Sequence, residues 1–308
     1  MMRVAVIGAG MAGLACARRL AAAGLAPVIF DKGRGIGGRL ATRRIDGLQF
    51  DHGAQYVTAR DAGFAAVLRD LQATAAVGLW QTDAGAAHWV GVPGMSALAR
   101  GLALGLEVRQ QVQVTSVRKA AGQWLVAGDG WAETFDRVTL TVPAPQVAGL
   151  LGADHPLVAR LQGVAMAPCL TLMAASHAPA AFHAESDPDA ALAWIAADSS
   201  KPGRPDGQTT WVAQASPAFS VAHLENDMAA IVARMLPLLC DRLGLVRGQI
   251  SHASAHRWRF ARVTSALGLA FLDQDGALFV GGDWCLGPRV EAAWISGDAM
   301  GRAVLNGC

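Results

Sequence analysis

The stretch Arg3 to Asp31 constrains this chain more than any other. An apolar run, Arg3-Val4-Ala5-Val6-Ile7, passes directly into Gly8-Ala9-Gly10-Met11-Ala12-Gly13. An Ala/Leu/Arg stretch follows to Ala23, then Gly24, then Pro27-Val28-Ile29-Phe30, closing on Asp31. The order reads as strand, tight turn, helix, turn, strand. In such a unit Gly8 permits the turn, Gly10 lets the backbone approach a pyrophosphate, and Gly13 lets helix and strand pack closely. The free N–H groups that open the helix, around Met11 and Ala12, face the phosphates, and the helix dipole favours negative charge there. Asp31, 18 residues beyond Gly13, ends the second strand, where a carboxylate accepts hydrogen bonds from an adenosine ribose. The alternative is a glycine-rich turn of some other α/β protein, because Gly and Ala are abundant here. The flanking strand, helix and acid argue for the dinucleotide. The unit does not separate NAD from FAD. Lys32 and Arg34 would suit a 2′-phosphate, but Asp31 repels one, so they are read as facing the pyrophosphate or solvent.

A second motif narrows the choice. Lys32-Gly33-Arg34-Gly35-Ile36-Gly37-Gly38-Arg39 follows at once. Gly37-Gly38 allows the backbone close to a cofactor, and Arg39 is expected to set a planar guanidinium beside the pyrophosphate. A surface loop with a solvated Arg39 is the plainer reading. The motif tips the balance toward FAD, since simple NAD dehydrogenases do not usually need it.

The length, 308 residues, allows a large core and two domains. A net charge of +2 with no basic block gives no reason to expect nucleic acid. No run of about 18 uncharged apolar residues occurs, so no membrane span is expected. The first strand starts at Arg3, which is read as leaving no room for a signal peptide. The five cysteines, Cys16, Cys169, Cys240, Cys285 and Cys308, are odd in number and widely spaced. They suit a reducing cytoplasm rather than a disulfide framework. No His/Cys/carboxylate cluster has metal-ligand spacing, so no metal is expected.

Further along, Phe50-Asp51-His52-Gly53-Ala54-Gln55-Tyr56 reads as an extended piece ending in small residues. It is either a short strand with a core aromatic or a backbone passing beside a flavin ring, with Gln55 and Tyr56 lining the pocket. Asp61 to Leu71 has helical spacing. Ser96 to Leu104 reads as a helix. Val108 to Val142 reads as a small meander, with a turn at Asp129-Gly130, plus a strand rejoining the main sheet. From about Met166 to Leu267 strand-like pieces (Leu170–Met173, Leu192–Ile195, Thr209–Ala213) alternate with polar loops. The loop Asp198 to Gly207, with two prolines and two glycines, is expected to be exposed. Leu224 to Leu243 is the longest helix candidate, bent at Pro237, and Gln249 to Trp258 is another strand. Near the end, Ala277-Leu278-Phe279-Val280 is a buried strand, followed by Gly281-Gly282-Asp283. Asp283 would accept from a ribityl hydroxyl at a strand's carboxyl end. Val290-Glu291 opens the final helix, whose N-terminus could stabilise negative charge on a reduced flavin. Glu291 is equally readable as an ordinary first-turn acid.

These motifs, in this order, resemble flavin-dependent amine oxidoreductases. Closer still is the bacterial renalase-like branch. The stretches that carry the likeness are Phe30–Arg39, Asp51–Tyr56, Trp89–Leu98, Ser200–Pro202, Ala255–Trp258 and Gly281–Gly297, spread over almost the whole chain. The resemblance implies an α/β, two-domain protein. A Rossmann-type FAD-binding domain of the p-hydroxybenzoate hydroxylase-like kind (residues 1–60, 92–165 and 268–308) would join a substrate domain with a mixed or antiparallel sheet (61–91 and 166–267). It implies non-covalent FAD. It also implies oxidation of isomeric dihydro-NAD(P) to NAD(P)+, with O2 reduced to hydrogen peroxide. The ADP half would be held by Gly8, Gly10, Met11, Ala12, Gly13, Asp31, Lys32, Gly38 and Arg39, with Val114 meeting the adenine through its backbone. Gly53, Ala54, Gln55, Tyr56, Gly282, Asp283, Val290 and Glu291 would surround the ribityl and flavin.

Amine oxidases are the nearest rival, with a desaturase-like enzyme beside them. A flavin-holding protein acting through a partner is the reading from another class. Amine oxidases use an aromatic cage with one ring just ahead of the closing-helix motif; here that position is Arg289, which disfavours a protonated amine and suits an anionic dinucleotide. Hydride transfer to a flavin needs orientation more than acid–base chemistry, so no catalytic group is assigned. The pocket candidates are Tyr56, Trp194, Trp211, His256, Trp258 and Arg289. For the tryptophans core packing is the stronger alternative, and His256 also reads as a plain strand residue. Cys285, near the last motif, reads as a small packed residue rather than a covalent flavin link.

Overall fold

In the computed structural model, which describes residues 2–307 except Ala84 and Ala86, two sheets face one another across a cleft. Cys308 lies outside the described residues. The first sheet has six strands, in the order Leu272–Gln274, Leu278–Val280, Arg137–Leu140, Val4–Ile7, Val28–Asp31, Glu107–Gln110. All neighbours are parallel except the edge pair Leu272–Gln274 with Leu278–Val280. The two-residue period of a strand explains its two covers. Val4 and Val6 point to one face, where helices Met11–Ala22 and Val290–Asn306 pack. Ala5 and Ile7 point to the other, against the meander Val114–Ala120, Gln123–Gly128 and Trp131–Phe135. The meander turns at Asp129-Gly130, with Gly130 at positive φ, and Arg137–Leu140 then re-enters the main sheet, as the sequence pattern indicates.

The second sheet has five antiparallel strands, in the order Ala184–Ser186, Leu192–Ala197, Thr209–Ala215, Ala165–Ser176, Ile250–Ser265. Leu170, Leu172 and Trp211 take one face and bury against Ile231, Met235 and Leu239 of helix Met228–Leu243. Met173, Ala175 and Val212 take the other and meet Phe50, from the hairpin Thr42–Ile45/Leu48–Asp51. Met228–Leu243 begins four residues later than the apolar spacing from Leu224 indicates, because Asp227 caps it by accepting from Ala230 N–H. Among the described residues the longest helix is Val290–Asn306 instead. The helix Ala62–Ala73 is capped in the same way by Asp61, and its Phe64 and Leu68 share a core with the parallel sheet's helical face.

One expectation fails clearly. The segment Asp198 to Gly207 is not simply exposed: Asp198 is fully buried, and Lys201 and Arg204 are only 2% and 9% exposed. Pro and Gly mark irregular backbone, not solvent contact. These charges are buried because they pair with one another and with Asp51. Among the described residues no helix is long and apolar enough to cross a membrane.

Candidate active site

A cavity of about 1650 Å³ runs along the carboxyl edge of the parallel sheet and beneath the antiparallel one. That exceeds the ~300–1,000 Å³ of ordinary ligand pockets, and so leaves room for a dinucleotide cofactor and a second molecule.

Backbone builds one end. Gly8 sits at φ +109°, and Gly13 packs so close that a Cβ there would lie 1.9 Å from Gly8 O. Gly10 is the reverse: a Cβ there would project into open cavity. No side chain caps the helix that starts at Met11, so its first N–H groups are left for a ligand. Asp31 accepts from Ala9 N–H at 2.6 Å and Gly33 N–H at 2.7 Å, and Ala9 O accepts from Gly37 N–H at 2.9 Å. The turn and the Gly33–Gly38 loop are therefore one braced unit, with Lys32 and Gly38 on the cavity and Val114 opposite. Gly13 supports the turn without lining the cavity. Bare backbone at Gly10, unpaired N–H groups and a strand-end carboxylate together fit the diphosphate and ribose of an adenine dinucleotide.

Side chains build the other end. Gly53, Ala54, Gln55 and Tyr56 line it, and Ala54 N–H donates to Arg39 O at 2.8 Å. Tyr56 stacks on His88 with centroids 4.0 Å apart and meets Trp194 at 5.5 Å. Gln214, which the sequence did not single out, lines the cavity and donates to Gly53 O at 2.6 Å. Trp258 lines it as well, its indole N–H bonded to His52 O at 2.8 Å.

Three expected residues lie elsewhere. Trp211 sits opposite Ala174 and Ala197, on the face turned to helix Met228–Leu243, and packs edge-on against Phe182 in that core. Trp194 pairs with Gln214 on the cavity face of the same sheet. His256 does not line the cavity but packs edge-on against His52 at 4.6 Å and Trp258 at 4.4 Å, and burial pushes its pKa down to about 4. His52 is driven lower, to about 3, by burial first and then by His256. Glu291 is 2% exposed, and its carboxylate accepts from the N–H groups of Arg60 and Asp61 at 2.5 and 2.7 Å. It staples the last helix to the segment before Ala62–Ala73 and does not line the cavity, although Val290 does.

Arg39 and Asp283 face the cavity, but they also bind each other. The guanidinium donates to both Asp283 oxygens, at 2.7 and 2.8 Å, and to Ala261 O at 2.9 Å. The expected phosphate and ribityl ligands thus form a fork-to-fork bridge joining the second motif, the last motif and the antiparallel sheet. Gly282 lies beside them on the cavity. Cys285 is buried, and burial pushes its thiol up to about 12, so it is an inert packing residue.

The cavity is electrostatically one-sided. Seven basic residues line it (Lys32, Arg39, Arg60, Arg257, Arg259, Arg262, Arg289) against two acids, Asp31 and Asp283, both already engaged. Among the described residues Arg60, Arg262 and Arg289 have no side-chain ion-pair partner. No cluster there of three or more His, Cys, Asp or Glu is placed to hold a metal.

A family model described as NAD(P)-binding Rossmann-like domain matches residues 6–71, and one described as Flavin containing amine oxidoreductase matches residues 61–305. The chain belongs to the flavin-containing amine oxidoreductase family. It is a flavin-dependent oxidoreductase with FAD as its cofactor, bound without a covalent link as is typical of the family. Renalase of Mus musculus is 27% identical over 343 aligned positions, which cover 100% of this chain and 96% of that one. A 4,4'-diapophytoene desaturase of Staphylococcus haemolyticus is 47% identical over 60 residues, covering only 20% of this chain and 12% of its own length. Among solved structures, a protein from Exiguobacterium sp. 255-15, assigned as a protoporphyrinogen oxidase, superposes with a TM-score of 0.84 at 14% identity, covering 100% of this chain and 99% of that one. Putrescine oxidase bound to putrescine gives 0.73 at 14% identity, covering 99% of both. At such identities the likeness is one of fold.

Proposed function

We propose that the protein oxidises isomeric dihydro-NAD(P), the 2- or 6-dihydro form, to NAD(P)+. The balanced reaction is dihydropyridine + O2 + H+ giving pyridinium + H2O2. The hydride carries two electrons away from the ring carbon, and the ring becomes aromatic. FAD, when bound, supplies the hydride acceptor at N5 and hands the electrons to oxygen. The chain's own residues bind, orient and shield. The backbone turn at Gly8–Ala12 with Asp31 holds the ADP half, and the Gly53–Tyr56 wall with Asp283 bounds the flavin end. Tyr56 and Trp194 offer aromatic faces for a flat pyridine ring. No proton must leave the substrate, and the two cavity carboxylates, Asp31 and Asp283, are already engaged by N–H groups and by Arg39, which suits this chemistry.

The observation that carries the reading is the unbalanced positive charge. Arg289 stands where amine oxidases place a ring, and Arg60 and Arg262 share the cavity without side-chain ion-pair partners. An anionic dinucleotide is favoured there and a protonated amine is not. The full-length alignment with mouse renalase supports the same reading. The FAD-binding part would comprise residues 1–60, 92–165 and 268–308, and the substrate part 61–91 and 166–267.

Arg289→Ala tests it. Rapid mixing should show the dihydropyridine Kd raised about tenfold, the worth of one charge-assisted contact, with the limiting rate of flavin reduction little changed. An unchanged Kd contradicts the assignment.

A further inference from the structure

Behind the cavity wall lies a four-charge cluster that the chemistry above leaves unused. The side chains of Asp51, Asp198, Lys201 and Arg204 are all 0–1% exposed. Lys201 Nζ is 2.6 Å from Asp198 and 3.5 Å from Asp51. Arg204 pairs with Asp51 and approaches Asp198 to 3.4 Å. Two positive and two negative charges balance, yet burying four ions is costly in desolvation and is weak grounds for a purely stabilising role.

The cluster's ammonium reaches the cavity wall at Gln55. Lys201 Nζ donates to Gln55 Oε1 at 3.3 Å. An ammonium has donors only, so the amide oxygen must face it and Nε2 must point the other way. Nε2 donates there to Asp51 O and to Gly53 O, the latter at 3.1 Å. Gly53 in turn is pressed on Arg39: a Cβ there would lie 2.0 Å from Arg39 O. The direction of one amide therefore fixes the wall that bounds the cavity.

We propose that Lys201 is a positioning residue for bound FAD: its ammonium locks the Gln55 amide, and Gln55 locks the wall from Gly53 to Tyr56 against the cofactor. The inference rests on that wall facing FAD, and the experiment separates the two ideas. Holoenzymes of Gln55→Leu, Lys201→Met, Lys201→Arg and the double variant Lys201→Met/Gln55→Leu are compared by FAD released on dilution and by the position of the flavin visible bands. Gln55→Leu and Lys201→Met should each weaken FAD retention about tenfold or more and move the bands in the same direction. The double variant should do no more than either single one, because the two residues act in series. Lys201→Arg, which keeps the charge, should recover most of both signals. If Lys201→Met does not fold, Lys201→Met/Asp198→Asn removes one charge of each sign and is read in the same way. Unchanged retention and spectrum in Gln55→Leu overturn both the wall assignment and the proposal. A changed Gln55→Leu beside an unchanged, folded Lys201 variant, or additive effects in the double variant, overturn the proposal alone.

Discussion

The two ends of the cavity are built from different material. At the end proposed for the ADP half the surface is made by backbone: the turn at Gly8–Ala12, the uncapped N–H groups of one helix, and Asp31, whose carboxylate accepts from two backbone N–H groups. At the end proposed for the flavin the wall is made by side chains from segments far apart in sequence, Tyr56, Trp194, Gln214 and Trp258, braced from behind by buried ions. Backbone sites need particular residues at short spacing. A side-chain wall needs only that each strand present the correct face. The first kind should therefore fail through loss of cofactor, and the second should tolerate change at the cavity surface but not on its hidden face.

The sharpest test of that contrast uses two tryptophans of one sheet. Trp211, 1% exposed on the helix face, should cost about 3–5 kcal/mol of unfolding free energy as Trp211→Ala, with the flavin spectrum of the surviving holoenzyme unchanged. Trp194→Ala, on the cavity face, should cost much less stability and alter substrate binding instead. Denaturant unfolding with stopped-flow binding decides; equal stability losses would break the distinction. Next in size is Asp31→Ala, which strands two backbone N–H groups. It should cost about 1–3 kcal/mol in FAD binding, a rise in Kd of about five- to 150-fold, while circular dichroism stays unchanged. FAD affinity at the wild-type level would mean that the brace is not needed.

A third test is pH dependence. His52 and His256 are held neutral in the folded protein, with pKa values of about 3 and about 4 against an ordinary 6.5. Below pH 6.5 the unfolded chain takes up protons that the folded one refuses, so their contribution to stability is full above 6.5 and declines as pH falls toward 4. His52→Asn/His256→Asn should flatten unfolding free energy against pH across that window. A slope equal to wild type would show that other groups govern it.

The contrast also explains what the sequence disclosed. Gly8, Gly13 and Asp31 were readable because each is demanded by local geometry: a positive φ, a helix–strand contact and a strand end. The parallel sheet followed from them. Trp194 and Trp211 could not be told apart, since their opposite faces are set by pairing with Gln214 and Ala174 across the sheet. Arg39 and Asp283 were each placed against the cofactor, yet 244 positions separate two residues that clasp one another. Glu291 reads locally as either a first-turn acid or a flavin neighbour, and its partners are N–H groups 231 and 230 positions away. The buried ions were hidden by a local signal that pointed the wrong way. Pro202, Gly203, Pro205 and Gly207 read as exposed loop, and nothing nearby reveals that Asp51 neutralises Arg204.

In the proposed reaction the flavin site accepts hydride from a misplaced position on a nicotinamide ring. Holoenzyme mixed anaerobically with 2-dihydro-NAD, 6-dihydro-NAD, ordinary β-NADH and a panel of amines tests it most directly. Rapid bleaching of the flavin is expected with at least one dihydro isomer and not with β-NADH or amines, with the yellow colour returning and one equivalent of hydrogen peroxide forming when air is admitted. Bleaching by an amine, or by none of these compounds, would contradict it.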